Sequence, residues 1–469
     1  MRAPRITVPV PAPGWDDLRA ELLVPAAFPP DVLVEAEAAA AAPRLPDLDL
    51  TALPFLTIDP PDSLDLDQAM CLERAGDGFL VRYAIADVAA FVAPGGPLDA
   101  ETHRRGETSY FPDLRVPLHP PVLAEGAASL LADQDRPAVV WSLQLDAAGA
   151  LTGTDVRRAL VRSRRKLDYA SVQQAIDDGT ADEQLQLLEE IGTRRQALAR
   201  ERDAVDLPTP EQEVTDGPDG RPCLAYRAPV ACEAWNAQIS LLTGMAAADL
   251  MLAGKVGLLR TLPPAGAESV ASLRRSALAL GVAWPEGTSY GDIVSALDPS
   301  QPGAAALLTL TTRLLRGAAY TAFDGAVPEQ SLHSAVAARY AHCTAPLRRL
   351  ADRYVNEVCL ALCAGTEVPQ WARDALPLLP DEMAAADKKA HAVDRAIVDL
   401  AEALVLAPRV GEEFDAVVVE SGSKGGVVQL ADPAVRGRCD GADLPLGQRI
   451  RVRLTAADPV RRTVLFAPA

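Results

Sequence analysis

Residues 79–85 alternate Phe79, Val81, Tyr83 and Ile85 against Leu80, Arg82 and Ala84, and residues 141–145 alternate Trp141, Leu143 and Leu145 against Ser142 and Gln144. A period of two predicts half-buried strands. DAAGAL (146–151) reads as the turn between the second strand and the next, and strand-and-turn character extends over residues 51–165. From about residue 168 to 360 the pattern turns helical. Asp168 is an N-cap for YASVQQAIDDG, which stops at Gly179. AWNAQISLLTGMAAADLMLAGKVG (234–257) predicts a long apolar helix. Residues 338–365 read as a helix with Pro346 near a new start and Gly365 at its end. Met383, Ala386, Ala390, Val393, Ile397, Leu400 and Leu404 recur at helical spacing, an amphipathic helix over 381–406. From Gly411, the last residue of the linker APRVG, the final 59 residues break into five candidate strands and Gly turns, which suits a small barrel of the OB type. Ahead of residue 50, WDDLRAELL and DVLVEAEAAAAA predict two short helices.

At 469 residues the chain has room for more than one domain, and a hydrophobic share of 49% excludes a wholly disordered protein. No run of about 18 uncharged apolar residues occurs, and MRAPRITVPVPAPGW lacks the apolar centre of a signal peptide. The expectation is a cytoplasmic protein with no membrane segment. Seven cysteines without C-x-x-C spacing read as reduced, structural thiols. A net charge of −19 argues against a nucleic-acid-binding exterior. The arginines are nevertheless clustered, in HRRGETSY (103–110), RRALVRSRRK (157–166) and PLRRLADR (346–353). They form either a basic path inside an acidic shell or ordinary solvated faces.

TIDPPDSLDLDQAM (57–70) packs Asp59, Asp62, Asp65, Asp67 and Gln68 into ten positions. Carboxylate oxygens are hard donors that select Mg²⁺ or Mn²⁺ over zinc. An EF-hand is excluded, because neither Asp59 nor Asp65 as first ligand places Gly at loop position six and Glu at twelve. A Mg²⁺ cradle and a solvated acidic turn remain as readings of the loop. The five histidines form no zinc motif.

The loop resembles the T-I-D…D-x-D-D-A signature of the ribonuclease II/ribonuclease R (RNB) family of exoribonucleases. Further blocks follow in the family's order: YAIADVAAFV, then RRGETSYFP, then VRSRRKLDYASVQ, then HCTAPLRRLADRYVNE. The tail is similar to an S1-type RNA-binding barrel. The resemblance implies an α+β protein. A catalytic domain over 51–410, a mixed sheet flanked by helices around a central channel, would follow a short N-terminal helical segment over 1–50. An S1-type OB β-barrel over 411–469 would complete the chain. It implies a monomeric, Mg²⁺-dependent (or Mn²⁺-dependent) 3′→5′ exoribonuclease that takes single-stranded 3′ ends and releases nucleoside 5′-monophosphates.

Matched position by position, Asp59, Asp65 and Asp67 fall on family metal-site carboxylates, with Asp67 also catalytic. Arg348 falls on the catalytic arginine, suited to a phosphate's developing charge. Arg349 is expected on a backbone phosphate. Tyr169 falls on the tyrosine that stacks near the 3′-terminal nucleotide, and Tyr110 on a position lining the channel. The chain departs from the pattern at Gln68, where the family has Asp. An amide offers a metal its carbonyl oxygen but no charge, so Gln68→Asp is expected to raise activity at low Mg²⁺ if the position is a ligand. RTLPPAGAES (260–269) offers no second aromatic clamp, and residues 1–50 leave no room for cold-shock barrels. These departures motivate an alternative, a catalytically silent RNA-binding protein.

Overall fold

The computed structural model describes residues 15–205, 211–216, 222–227, 229–298, 301–312, 314–430 and 432–469. The reading of the N-terminus against a signal peptide, and the side chain of Cys223, fall outside what it describes.

The alternating segments form the centre of the main domain. Strands Gln68–Ala75 and Gly78–Ala86 make a hairpin whose two-residue turn begins at Gly76, φ 58°. Glycine takes such a φ without the cost a side chain adds. A Cβ on Gly78 would lie 2.0 Å from the Leu145 carbonyl oxygen, so the strand crosses its neighbour too closely for any other residue. Asp135–Leu145 and the 17-residue strand Leu151–Leu167 extend the sheet antiparallel. Phe55–Ile58 then pairs parallel to Leu151–Leu167, Ile58 opposite Leu167, and antiparallel to Gln68–Ala75. The mixed sheet is thus a closed five-stranded barrel.

Both faces of these strands are buried. Leu72, Val81, Tyr83, Ile85, Trp141 and Leu143 pack against helices, whereas Ala69, Cys71, Ala84, Val140, Ala159 and Val161 join a second cluster with Phe55, Leu66 and Leu347. The larger set meets helix Ala231–Gly254, which is long and apolar enough to cross a membrane by length and composition. Its buried face, with Trp235, Ile239, Leu242 and Met251, belongs to the protein core. Among the described residues, Cys71, Cys343, Cys359 and Cys439 are buried and take part in no disulfide.

Asp168 caps helix Tyr169–Asp177 by accepting from the Ser171 N–H. The predicted helix over 338–365 is shorter than its pattern. Ala338–Arg339 is a brief strand, residues 340–349 are a loop for most of their length, and the helix is Leu350–Ala364, closed by Gly365 at φ 67°. Pro346 explains the difference: it lacks an N–H and disfavours helical geometry at Ala345. The 168–360 region also holds strands, among them the antiparallel pair Val256–Thr261 and Ala319–Asp324. The amphipathic helix spans Leu379–Leu406.

The last five strands, from Glu413–Gly422 to Thr463–Pro468, close a second barrel around Phe414, Val418, Val428, Val452, Leu454 and Phe466. This core is continuous with Val393, Ile397 and Leu400 of the amphipathic helix and with Trp15 and Leu18 of helix Trp15–Glu21.

Candidate functional site

The acidic loop leaves the barrel where it closes. The Asp59 N–H donates to the Leu167 carbonyl at 3.0 Å, one step beyond the parallel pair. Ser129 then holds the loop from beneath: its hydroxyl donates to the Leu64 carbonyl at 2.6 Å and accepts from the Leu66 N–H at 2.9 Å. Lys166 Nζ donates to the carbonyls of Pro61 and Ser63. The loop re-enters the barrel at Asp67, whose carbonyl accepts from the Ala86 N–H. These bonds account for backbone groups that a Pro-rich loop cannot pair with itself. Asp62 is exposed, while Asp59 and Asp65 are half-buried and Asp67 is buried.

The second element is the loop before helix Leu350–Ala364. Asp67 Oδ1 accepts from the Leu347 N–H at 2.7 Å, and Asp67 Oδ2 lies 3.2 Å from Arg348 Nε. Burial pushes the Asp67 carboxyl up to about 8; Arg348 pulls it back and the Asp65 charge adds to the rise. Burial also works against the Arg348 charge, but Tyr110 and Asp67 outweigh it and hold the guanidinium's pKa above its ordinary value.

The third element was not legible as a site residue. Arg115 Nη1 donates to Asp65 Oδ1 at 2.6 Å and lies 3.4 Å from Glu125 Oε1. It stands opposite Tyr110 in the Ser109–Tyr110/Arg115–Val116 hairpin, its guanidinium carbon 5.9 Å from the Tyr110 ring centre. The signal available was SYFPDLRV, which reads as two short strands around a turn and puts Tyr110 and Arg115 across from each other.

Tyr169, in the first turn of its helix, is 9% exposed, and its hydroxyl accepts from Asn236 Nδ2 at 3.1 Å. Tyr83 joins the site unforeseen. Burial raises its phenol pKa, the hydrogen bond with Ser240 opposes the rise, and Tyr169, the Asp59 carboxylate and Arg348 are near enough to act on it, so these groups share one environment. Gln68 donates from Nε2 to the Thr344 carbonyl and accepts at Oε1 from the Tyr83 hydroxyl. Arg349 departs from the group: it forks onto Asp352 at 2.5 and 2.8 Å, and the other groups that raise its pKa are Tyr320 and Tyr340. His103 is held between Glu382 and the Tyr354 hydroxyl, a packing role.

His119 supports the arginine loop. It is 3% exposed, and since a carbonyl only accepts, its Nδ1–H donates to Leu347 O at 3.1 Å. Burial pushes its pKa down from 6.5 to about 4. The unfolded chain binds this proton first, so the stability is present above pH 6.5 and is lost as pH falls toward 4; the difference corresponds to about 3 kcal/mol. His119→Gln keeps a donor for the carbonyl and cannot charge. Denaturant unfolding at pH 7 and pH 4 should show the variant losing about 3 kcal/mol less than the wild type over that range.

The donor chemistry suits a hard divalent cation. Asp59, Asp65 and Asp67 supply carboxylate oxygens, and the Asp65 charge adds to the burial that raises the Asp67 carboxyl. Among the described residues no three His, Cys, Asp or Glu side chains converge as a ligand set. In this structure Arg115 and Arg348 take oxygens of Asp65 and Asp67, so an ion there competes with Arg115.

Known proteins carry the same architecture. Residues 48–364 match the RNB domain, and residues 412–469 match the RNase II-type exonuclease C-terminal S1 domain. Ribonuclease R of Vibrio cholerae is 27% identical over 446 residues, covering 86% of this chain and 53% of its own length. The chain spans about half the length of the curated relatives it matches first. The apo form of Mycoplasma genitalium RNase R superposes with a TM-score of 0.84 at 20% identity, over 97% of this chain and 77% of that one. Yeast Ssd1, described as a pseudonuclease, superposes at 0.65 with 17% identity over 88% and 52%. The fold therefore hosts both a nuclease and a pseudonuclease, and the chemistry rests on the site. With an RNB domain match over most of its length and an RNase II-type S1 barrel after it, the chain belongs to the RNB family.

Proposed function

We propose that the chain is a 3′→5′ exoribonuclease that hydrolyses single-stranded RNA to nucleoside 5′-monophosphates. The observation that carries this reading is the contact of Asp67 with Leu347 and Arg348, which sets a buried carboxylate and a guanidinium side by side where two loops meet. Asp59, Asp65 and Asp67 would hold Mg²⁺ or Mn²⁺, and the ion would neutralise phosphate charge and lower the pKa of a bound water. Arg348, permanently charged, stands ready for charge that develops on the phosphate's oxygens. The Asp67 carboxylate keeps that guanidinium in place. Tyr169 and Tyr110 offer aromatic faces, which bind any base and so suit a general degrader. On the second barrel, Arg449, Arg451 and Arg453 alternate with buried or half-buried residues on one strand, and Arg451 and Arg453 pair with Asp415 and Glu413 of the neighbouring strand, pairs that an RNA backbone phosphate would have to compete with. The test is product analysis: digestion of unstructured RNA should yield nucleoside 5′-monophosphates with Mg²⁺ and nothing with EDTA. Accumulation of nucleoside 3′-phosphates would contradict the reading.

The silent RNA-binding alternative draws on Gln68 and on the carboxylates already paired with arginine. Arg115 supplies a direct probe of the cradle. Arg115→Gln removes the cation that competes for Asp65, and Mn²⁺ binding, followed by calorimetry, should tighten about threefold or more. Unchanged or weaker binding would show that the ion does not use Asp65.

A further inference from the structure

Gln68 performs a task that the aspartate of the family pattern could not. Its Nε2 donates to the Thr344 carbonyl at 2.5 Å, and its Oε1 accepts from the Tyr83 hydroxyl at 2.6 Å. The Tyr83 hydroxyl also meets Ser240 Oγ at 2.9 Å. The amide's orientation is fixed by chemistry, since a backbone carbonyl only accepts and the atom facing it must carry hydrogen. An aspartate is one methylene shorter and, when ionised, has no hydrogen to donate.

The bond matters because of where Thr344 lies. Residues 343–349 lead to Arg348 and then into the helix, and side chains hold this loop at successive backbone groups. Asn356 Nδ2 donates to the Cys343 carbonyl at 2.8 Å, and Asp352 Oδ1 accepts from the Ala345 N–H at 2.7 Å. Asp67 accepts from the Leu347 N–H, and His119 donates to the Leu347 carbonyl. Asp67 and Gln68 are consecutive residues at the mouth of the barrel, so two neighbouring side chains grip one loop at Leu347 and at Thr344.

We infer that Gln68 is a positioning residue rather than a metal ligand. Its amide ties the barrel to the arginine loop and sets where Arg348 stands against Asp67. The kinetic part of this inference rests on the exoribonuclease reading; the tie itself does not. It also reverses the expectation for added charge: a carboxylate at position 68 should harm the site rather than restore it.

Gln68→Glu is the informative variant. It preserves length and the acceptor for Tyr83, removes the hydrogen facing Thr344, and puts two acceptors against each other. Hydrogen exchange read by mass spectrometry should become about tenfold faster or more at the Ala345 and Leu347 amides, with the second barrel unchanged. At saturating Mg²⁺, kcat should fall about tenfold, with KM for RNA and the Mg²⁺ needed for half-maximal rate unchanged. A ligand role gives the opposite result: unaltered exchange at Ala345 and Leu347 and a lower Mg²⁺ requirement, and that outcome would overturn the inference. If Gln68→Glu speeds exchange throughout the chain, Gln68→Met decides the matter. Met is close in size and uncharged, and it should raise exchange only in the 343–349 loop; unaltered exchange there would also overturn the inference. A wild-type chain without nuclease activity would sink the exoribonuclease reading and leave the exchange result standing.

Discussion

Asp67→Asn should lower the rate of RNA hydrolysis by about a thousandfold or more while RNA affinity stays within about threefold. Asn is the same size, and its carbonyl can still accept from the Leu347 N–H at the position Asp67 Oδ1 now occupies. What disappears is charge. The amide then presents N–H groups to the Arg348 guanidinium, donor against donor, where Asp67 Oδ2 now lies 3.2 Å from Nε. The arginine loses its anchor and the proposed ion loses an anionic ligand. Folding should not suffer, because burial pushes this carboxyl up to about 8, so the metal-free site already favours an uncharged side chain at neutral pH. Single-turnover cleavage, fluorescence anisotropy with labelled RNA and a thermal melt together check the prediction. A melt lowered by many degrees would mean that Asp67 acts mainly as a structural residue.

Arg348→Lys should cost about a hundredfold in kcat with little change in KM. Lysine keeps a positive charge but offers a compact ammonium in place of a planar fork that can serve Asp67 and a phosphate together. Arg348 is the more exposed partner, its side chain 41% accessible against 6% for Asp67, so it is the member of the pair that can reach an incoming phosphate. Steady-state kinetics on a homopolymer RNA separates the two constants. A rise in KM with kcat preserved would instead make Arg348 a residue of substrate binding. Arg349→Lys supplies the contrast: that side chain is bound to Asp352, and its loss is expected in stability before it is seen in turnover.

Much of this was legible in the chain because it is local. Alternation over 79–85 and 141–145 marked strands, Asp168 and Gly365 marked helix ends, and the change of texture at Gly411 marked the second barrel. The closure of the first barrel was not legible, since Phe55–Ile58 meets Leu151–Leu167 across about a hundred residues and no local pattern records such a pairing. The loop ahead of Leu350 was missed for a related reason. Helical periodicity continued through residues 340–349, while the groups that hold the loop open, Asp67, Gln68 and His119, come from distant positions. Asp59, Asp65, Asp67, Tyr169 and Arg348 were marked by motif. Arg115 and Tyr83 entered only through contacts, one across a hairpin and one through an amide, which motif spacing does not encode.

The most direct test of the central claim is a digest of one unstructured RNA labelled in parallel at its 5′ or its 3′ end, with Mg²⁺ and with EDTA. The account predicts that the 3′ label leaves at once as a mononucleotide, that the 5′-labelled strand shortens stepwise from its far end, and that EDTA stops both. RNA that is bound but uncut in Mg²⁺ and Mn²⁺, internal cleavage, or early loss of the 5′ label would contradict it.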